Sequence, residues 1–280
     1  MKKRVSLTIS STIIDEVDSI VDKRKVKNRS HAVELLLSRA LGSNKIRKGI
    51  ILAGGRGLRL RPITQEIPKP LIPVQGKPVM EYNIELLRRY GITNILLSLG
   101  YKAQKIKDYF GNGSKFGADF TYIIEKKPLG TAGPLLMVRK FLKSTFVVAN
   151  ADELKDININ DMYRFHKVNH AMITIALTTV ENPSKYGLVR LQGSKILEFI
   201  EKPQAGFEGK LINAGFYMME PEVLNHIKKG FVMLEKDVFP KLAALGKVFG
   251  YPFSGQWLNT GNLQEYEKAI SEWQGFKSSA

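Results

Sequence analysis

The stretch Gly49-Ile50-Ile51-Leu52-Ala53-Gly54-Gly55-Arg56-Gly57-Leu58-Arg59-Leu60-Arg61-Pro62 decides the fold. Its first four residues read as a short buried strand. Glycines directly after a strand let backbone amides approach phosphate oxygens, and Arg56, Arg59 and Arg61 supply charge nearby. The loop is not a Walker loop, because no Gly-Lys-Ser/Thr follows, and its spacing is not that of a dinucleotide fingerprint. The continuation is more specific: Thr64, then Pro68-Lys69-Pro70-Leu71-Ile72-Pro73-Val74 and Gly76-Lys77-Pro78. Further landmarks follow in order. These are Pro128-Leu129-Gly130-Thr131-Ala132-Gly133, Asn150-Ala151-Asp152 after a predicted strand from Phe146 to Ala149, Glu201-Lys202-Pro203 and Asn213-Ala214-Gly215.

The 280 residues suit two units, and 44% hydrophobic with 25% charged residues is the composition of a chain that buries a core. With no cysteine, disulfide scaffolds, thiolate metal sites and cysteine nucleophiles are excluded. The longest apolar runs, such as Ala171 to Leu177, fall short of the ~20 residues that span a bilayer. The polar start Met1-Lys2-Lys3-Arg4 is no signal peptide, so a cytoplasmic protein without a membrane partner is expected. Forty-three Lys+Arg against 26 Asp+Glu leave +17, which suits nucleic acid or phosphorylated substrates. Residues 1–48 hold twelve Lys+Arg and five Asp+Glu, giving +7, and the other 232 residues give +10. The expected boundary is the polar stretch after Gly42, a glycine placed as a helix C-cap. It separates an N-terminal unit over 1–42, a linker over 43–48 and a catalytic unit over 49–280.

In the N-terminal unit, Val5, Leu7 and Ile9 alternate with Arg4, Ser6 and Thr8, which predicts a half-buried strand. Ser11 or Thr12 then caps a helix with the stripe Ile13, Ile14, Val17, Ile20, Val21. Ser30 caps a second helix carrying Ala32, Val33, Leu36, Leu37, Ala40 and Leu41. Such a unit buries too little surface to stand alone. The order strand, helix, helix resembles a ribbon-helix-helix domain of the Arc and MetJ class. The resemblance implies a homodimer through residues 1–42, with a tetramer open to it. Arg4, Ser6 and Thr8 would reach base edges of double-stranded DNA. The Ser30 helix start would hold a phosphate, with Lys2, Lys3, Lys27 and Arg29 adding phosphate contacts. A dimerisation device that never touches DNA is the alternative.

From residue 49 to about 270 the chain resembles the nucleotidyltransferases that make an NDP-sugar from an NTP and a sugar 1-phosphate. The resemblance implies an α/β fold: a mixed, mainly parallel Rossmann-like sheet with flanking helices. No left-handed β-helix follows, as in the short members. In the implied reaction an oxygen of the sugar phosphate attacks the α-phosphorus and pyrophosphate leaves, so positioning and charge neutralisation dominate. The nucleophile is already ionised near neutral pH, and no general base is required. By resemblance, Arg59 and Lys69 contact the triphosphate and Lys202 holds the sugar phosphate. Ala53, Gly54, Gly55 and Gly57 cradle the nucleotide, and Gly130 approaches the base. Asp152 holds Mg²⁺, and Tyr186, Gly187, Glu201 and Asn213 meet sugar hydroxyls.

Two positions depart from the family pattern. Where the family has Trp-x-Asp-x-Gly, supplying the second metal carboxylate, this chain reads Trp257-Leu258-Asn259-Thr260-Gly261. An Asn carbonyl still ligates Mg²⁺, but one negative charge is missing, so metal affinity and rate should fall. In Asn150-Ala151-Asp152 an alanine stands where the family commonly has glycine before the aspartate. His166 and His170 share an i, i+4 helical spacing without a Glu partner and read as a polar helix face. Three functions stay open: an enzyme coupled to a DNA-binding, transcription-regulating unit; a regulator whose nucleotidyltransferase-like unit senses ligand with little turnover; and a plain enzyme dimerised by residues 1–42. The loop from Pro128 to Pro134 is similar to that of mannose-1-phosphate guanylyltransferases and of related glucose-1-phosphate enzymes, with uridylyl and thymidylyl transfer still open.

Overall fold

The computed structural model describes residues 5–22, 26–40, 46–203 and 209–277. The chain divides into two compact units, Met1–Lys45 and Ile46–Ala280.

The first unit contains helices α1 (Ser11–Ser19) and α2 (Arg29–Ala40). Both start earlier than the sequence suggests. Ser10 holds the N-cap position of α1, its carbonyl accepting from the Ile14 amide at 3.1 Å. Asn28, not Ser30, caps α2: its Oδ1 accepts from the His31 amide at 2.9 Å and its carbonyl from the Ala32 amide at 3.0 Å. An Asx side chain before the first turn satisfies an orphan amide better than a serine already inside the helix. Arg29 grips Asp18 with both arms of its fork, Nε on Oδ1 at 2.7 Å and a terminal nitrogen on Oδ2 at 2.5 Å. That hydrogen bond holds the Asp18 carboxyl below the usual carboxylate range. The strand expected over 4–10 is a correction: residues 5–10 belong to no strand. A lone strand has no ladder partner within its own chain. Val5 and Leu7 consequently stand 68% and 62% exposed. Lys2, Lys3, Arg4 and the Gly42 cap lie outside the described residues.

In the second unit the strands are β1 (Lys48–Ala53), β2 (Pro73–Val74), β3 (Lys77–Pro78), β4 (Asn94–Leu99), β5 (Asp119–Ile124), β6 (Phe146–Asn150), β7 (Glu153–Lys155), β8 (Ile173–Thr179), β9 (Gly187–Gln192), β10 (Lys195–Glu201), β11 (Leu211–Met219), β12 (Val248–Pro252) and β13 (Trp257–Asn259). The helices are α3 (Ile63–Glu66), α4 (Val79–Arg89), α5 (Ala103–Phe110), α6 (Gly133–Met137), α7 (Ile159–Val168), α8 (Phe239–Ala244) and α9 (Leu263–Glu272). Among the described residues nine strands form one mixed sheet in the order β5-β4-β1-β6-β11-β8-β12-β10-β9. Only β11 and β10 run against the rest, as their antiparallel pairings with β6, β8, β12 and β9 require. The central strands are apolar on both faces. Ile50, Val148 and Tyr217 point into one layer with α6 and α8, and Ile51, Val147 and Phe216 into the other with α4, α5 and α7. Such double burial reads in sequence as a continuous hydrophobic run.

The helix α7 corrects the reading of His166. Its ring is fully buried, with Nδ1 2.7 Å from Thr174 Oγ1 and Nε2 3.2 Å from Glu220 Oε1. Glu220 also accepts from Lys167 Nζ at 2.5 Å and Thr145 Oγ1 at 2.9 Å. Burial would raise the Glu220 carboxyl, but these donors outweigh it and bring it from 4.5 down to about 2. A depressed carboxyl stabilises the fold above its ordinary value, and that stability is lost as pH falls through the folded value. Glu220→Gln should therefore cost about 2–3 kcal/mol at pH 7 and nearly nothing at pH 2. Urea unfolding at both pH values checks this; equal losses at both would contradict it.

Candidate active site

Glycines and short turns bring the site together at the C-terminal ends of parallel strands, the usual place for a ligand in an open α/β sheet. A cleft of about 360 Å³ opens there. Gly54 and Gly55 follow β1, Glu125 follows β5, and Asn150, Ala151 and Asp152 end β6 or follow it; all line the cleft together with Leu52, Ala53, Lys69, Pro70, Pro128, Leu129, Gly130, Thr131 and Phe231.

Two glycines are structurally required. A Cβ on Gly54 would lie 2.6 Å from Glu125 Oε1, so glycine lets that carboxylate sit against the loop. Gly130 has φ +75°, and a Cβ there would lie 2.3 Å from the Val232 carbonyl oxygen. The loop carrying Gly130 is thus pressed against the 230–232 segment, whose Val232 carbonyl accepts from the Ala132 amide at 2.9 Å. Thr131 locks the same contact by donating to Glu235 Oε2 at 2.5 Å and accepting from the Leu234 amide at 2.8 Å. Burial pushes the Glu235 carboxyl up.

Lys69 begins the turn Lys69–Leu71 and is only 8% exposed. Its ammonium forms an ion pair with Asp152 Oδ2. Burial would raise the Asp152 carboxyl, but Lys69, with help from Lys155, holds it below the usual carboxylate range. The antiparallel pair β7–β13 then links Asp152 to the Trp257-Leu258-Asn259 segment, with Glu153 opposite Asn259. The Thr260 amide and Oγ1 both donate to the Asp152 carbonyl, at 3.0 and 2.9 Å. A Cβ on Gly261 would lie 3.0 Å from Asn259 Nδ2 and 3.3 Å from a terminal nitrogen of Arg59, so Arg59 stands beside Asn259 rather than in the cleft wall.

A third group gathers at β9 and β10. Glu201 pairs with Gly187 across the strands, and the Lys202 amide donates to the Tyr186 carbonyl at 3.0 Å. The Tyr186 ring meets Trp257 edge-on at 5.5 Å, and its hydroxyl donates to Glu265 Oε1 at 2.8 Å. Burial, reinforced by Glu265, pushes the Tyr186 hydroxyl up. Burial also raises the Glu201 carboxyl. Lys202 is exposed, its ammonium 3.8 Å from Glu201 Oε1.

Some sequence candidates stand elsewhere. Gly57 is packed against Thr64, whose Oγ1 donates to the Gly57 carbonyl at 2.8 Å, and it does not line the cleft. Both ends of the Asn213 amide are used internally, Nδ2 donating to the Tyr217 hydroxyl at 2.8 Å and Oδ1 accepting from the Gly215 amide at 2.9 Å. In the first unit Ser6, Thr8, Arg29 and Ser30 are exposed. Sequence reasoning passed over Glu125, three residues before Pro128, and the buried pair Glu153 and Lys155, whose charges lie 3.3 Å apart. Burial moves that pair in opposite directions, Glu153 up and Lys155 down.

The chain belongs to the nucleotidyl transferase family, whose profile matches residues 48–274. It is 39% identical over 228 residues to a mannose-1-phosphate guanyltransferase from Yarrowia lipolytica, the match covering 78% of this chain. The chain spans 62% of the length of that relative. Among solved structures, a Bacillus anthracis protein provisionally described as a glucose-1-phosphate thymidylyltransferase, in complex with sucrose, superimposes with a TM-score of 0.76 at 26% identity. That match covers 83% of this chain and 97% of the other. HddC from Yersinia pseudotuberculosis, complexed with GMP-PN, gives 0.70 at 27% identity over 81% of this chain and 99% of its own. The α/β fold is therefore that of the family.

The family typically uses a divalent metal such as Mg²⁺. The donors here are the Asp152 carboxylate, the Asn259 amide oxygen and Glu153 Oε2, which is buried without a hydrogen-bond partner. Among the described residues no three His, Cys, Asp or Glu side chains form a metal cluster. These residues fit Mg²⁺ nonetheless, because that ion is commonly held by one or two carboxylates with substrate phosphates completing the shell.

Proposed function

We propose that this chain transfers a nucleotidyl group from an NTP to a sugar 1-phosphate, with GTP and mannose 1-phosphate as its substrates. One phosphate oxygen of the sugar forms a bond to the α-phosphorus, the α–β bridging bond breaks, and pyrophosphate leaves with that electron pair. The observation that carries the choice of base is Glu125, a fixed carboxylate at the base-side mouth. Ser98 Oγ donates to its Oε1 at 2.8 Å and the Leu129 amide to its Oε2 at 3.2 Å. A carboxylate only accepts, and guanine offers two adjacent donor groups on its Watson–Crick edge. Uracil and thymine offer one donor flanked by carbonyls, which a carboxylate repels.

In this reading the amides of Gly54 and Gly55 line the triphosphate path, Gly57 shapes the turn beneath it, and Ala53 and Gly130 flank the nucleoside. Lys69 and Arg59 neutralise the departing pyrophosphate, and Lys202 draws in the sugar phosphate. Tyr186, Gly187, Glu201 and Asn213 form the sugar side. Asp152 and Asn259 would hold Mg²⁺, which would supply Lewis-acid charge neutralisation. Asn259 brings one charge fewer than an aspartate, so Asn259→Asp should raise turnover at limiting Mg²⁺. The test is pyrophosphate release with each NTP in turn and mannose or glucose 1-phosphate. A wild type that binds GTP but stays silent, while Asn259→Asp turns over, would make the chain a ligand sensor.

A second reading concerns residues 1–42, joined by 43–48 to the catalytic unit at 49–280. Val5, Leu7 and Ile13 are exposed apolar residues in a small basic unit, which supports pairing with a second copy and a ribbon on double-stranded DNA. Arg4, Ser6 and Thr8 would face base edges, and Lys2, Lys3, Arg29 and the Ser30 turn the phosphates. Arg29 would then have to share its fork with Asp18. Binding to duplex DNA that weakens steeply with salt supports a regulator; a dimer or tetramer indifferent to DNA leaves dimerisation alone. Among the described residues no helix is long and apolar enough to cross a membrane.

A further inference from the structure

We infer that Glu153 supplies the second carboxylate at the divalent-cation position, the role for which Asn259 lacks a charge. The inference rests on the catalytic reading above. A hard dication bridging two anionic phosphate groups favours carboxylate oxygens, and a neutral amide is a weaker ligand. The antiparallel register sets Glu153 directly opposite Asn259. Directly opposed residues share a face of the ribbon with Cβ atoms about 4.5–5.5 Å apart. The charge missing at Asn259 is therefore present one side chain away. Asp152 is fixed to the same ribbon through its carbonyl, which accepts from Thr260 at 2.9 and 3.0 Å. Two carboxylates and an amide oxygen thus hang on one short two-stranded frame.

The Glu153 carboxylate is also under-used by the protein. The residue is 8% exposed, and its Oε2 is buried with no contact in hydrogen-bond geometry, its one charged neighbour being the Lys155 ammonium at 3.3 Å. Its Oε1 has one long contact, from Asn150 Nδ2 at 3.3 Å. An acceptor left in this condition costs stability and calls for a ligand or a function to explain it. Lys155 Nζ lies 3.3 Å from Oε2 and balances the charge, while also donating to the Gly215 carbonyl at 3.3 Å. The same arrangement recurs at Asp152, whose counter-charge is Lys69. Gly215 makes room for the carboxylate: its φ is +59°, and a Cβ there would lie 2.0 Å from Glu153 Oε2. The competing account is that Glu153 merely neutralises Lys155.

The experiment is a titration of the full chain with Mn²⁺, read by the EPR signal of the free ion, with and without GTP, alongside GTP binding by fluorescence. Glu153→Gln should weaken Mn²⁺ binding in the presence of GTP by roughly tenfold or more, and the double variant Glu153→Gln/Asn259→Asp should regain it. A distorted ribbon would not be rescued at Asn259, so failure of the rescue overturns the inference. So does Mn²⁺ affinity within about twofold of wild type in folded Glu153→Gln. If that variant does not fold, Glu153→Gln/Lys155→Met removes both charges, and its weak or unchanged Mn²⁺ binding decides in the same way. Wild type that binds no GTP overturns the catalytic reading along with this one; unchanged Mn²⁺ affinity with GTP bound overturns this one alone.

Discussion

Lys69→Met should lower kcat for pyrophosphate release by about 10³-fold, the scale of losing a preorganised charge at a developing anion. Lys69 is nearly buried at the start of a rigid turn, with its ammonium against Asp152 where cleft and carboxylate ribbon meet. A cation held there loses little to reorganisation when negative charge builds on the leaving pyrophosphate. Methionine keeps the packing of the stem while removing the charge. The Asp152 side chain is 34% exposed, so water can take over its solvation and the fold should survive. Thermal unfolding near that of wild type together with lost turnover is the expected pair of results. A rate within about tenfold of wild type would remove Lys69 from the chemistry.

The second large effect concerns the base. Glu125→Gln should reduce kcat/KM for GTP by roughly 10–100-fold, the worth of charge-assisted hydrogen bonds to two donors. UTP should lose little, because an amide can both accept from its N–H and donate to a flanking carbonyl. The observable is the ratio of kcat/KM for GTP and UTP, which should fall sharply. Equal losses for both nucleotides would show that Glu125 supports the loop through Ser98 and Leu129 without selecting the base.

How much of this was legible in the sequence depended on whether local signals matched global ones. The strand-then-glycine stretch at 49–57 is local, and it reads correctly because a strand buried on both faces is apolar throughout. Gly54 and Gly130 were read as approaching a nucleotide, and the protein groups packed against them were not legible. Both groups come from distant segments: Glu125 follows β5 and is set beside Gly54 by the sheet order, and the Val232 carbonyl is held against Gly130 by the hydrogen bonds of Val232 with Leu129 and Ala132. Glu153 was hidden for a related reason. Next to Asp152 it looks like one more turn acid, and only the β7–β13 register reveals its place opposite Asn259. His166 misled because helical spacing alone cannot tell a solvent face from one that meets Thr174 and Glu220. In the N-terminal unit both helices were readable from their apolar stripes. The alternating residues before them carry a strand pattern without a partner in the chain, and pairing is a property that no single chain's pattern can supply.

The most direct measurement is a phosphorus NMR time course of the wild-type protein with GTP, mannose 1-phosphate and Mg²⁺. The account predicts that the sugar phosphate and triphosphate signals fall together while a sugar-linked diphosphate and free pyrophosphate rise in equal amounts. Unchanged spectra from a folded protein that binds GTP would contradict it, and would leave the cleft as a site that holds nucleotide without transferring it.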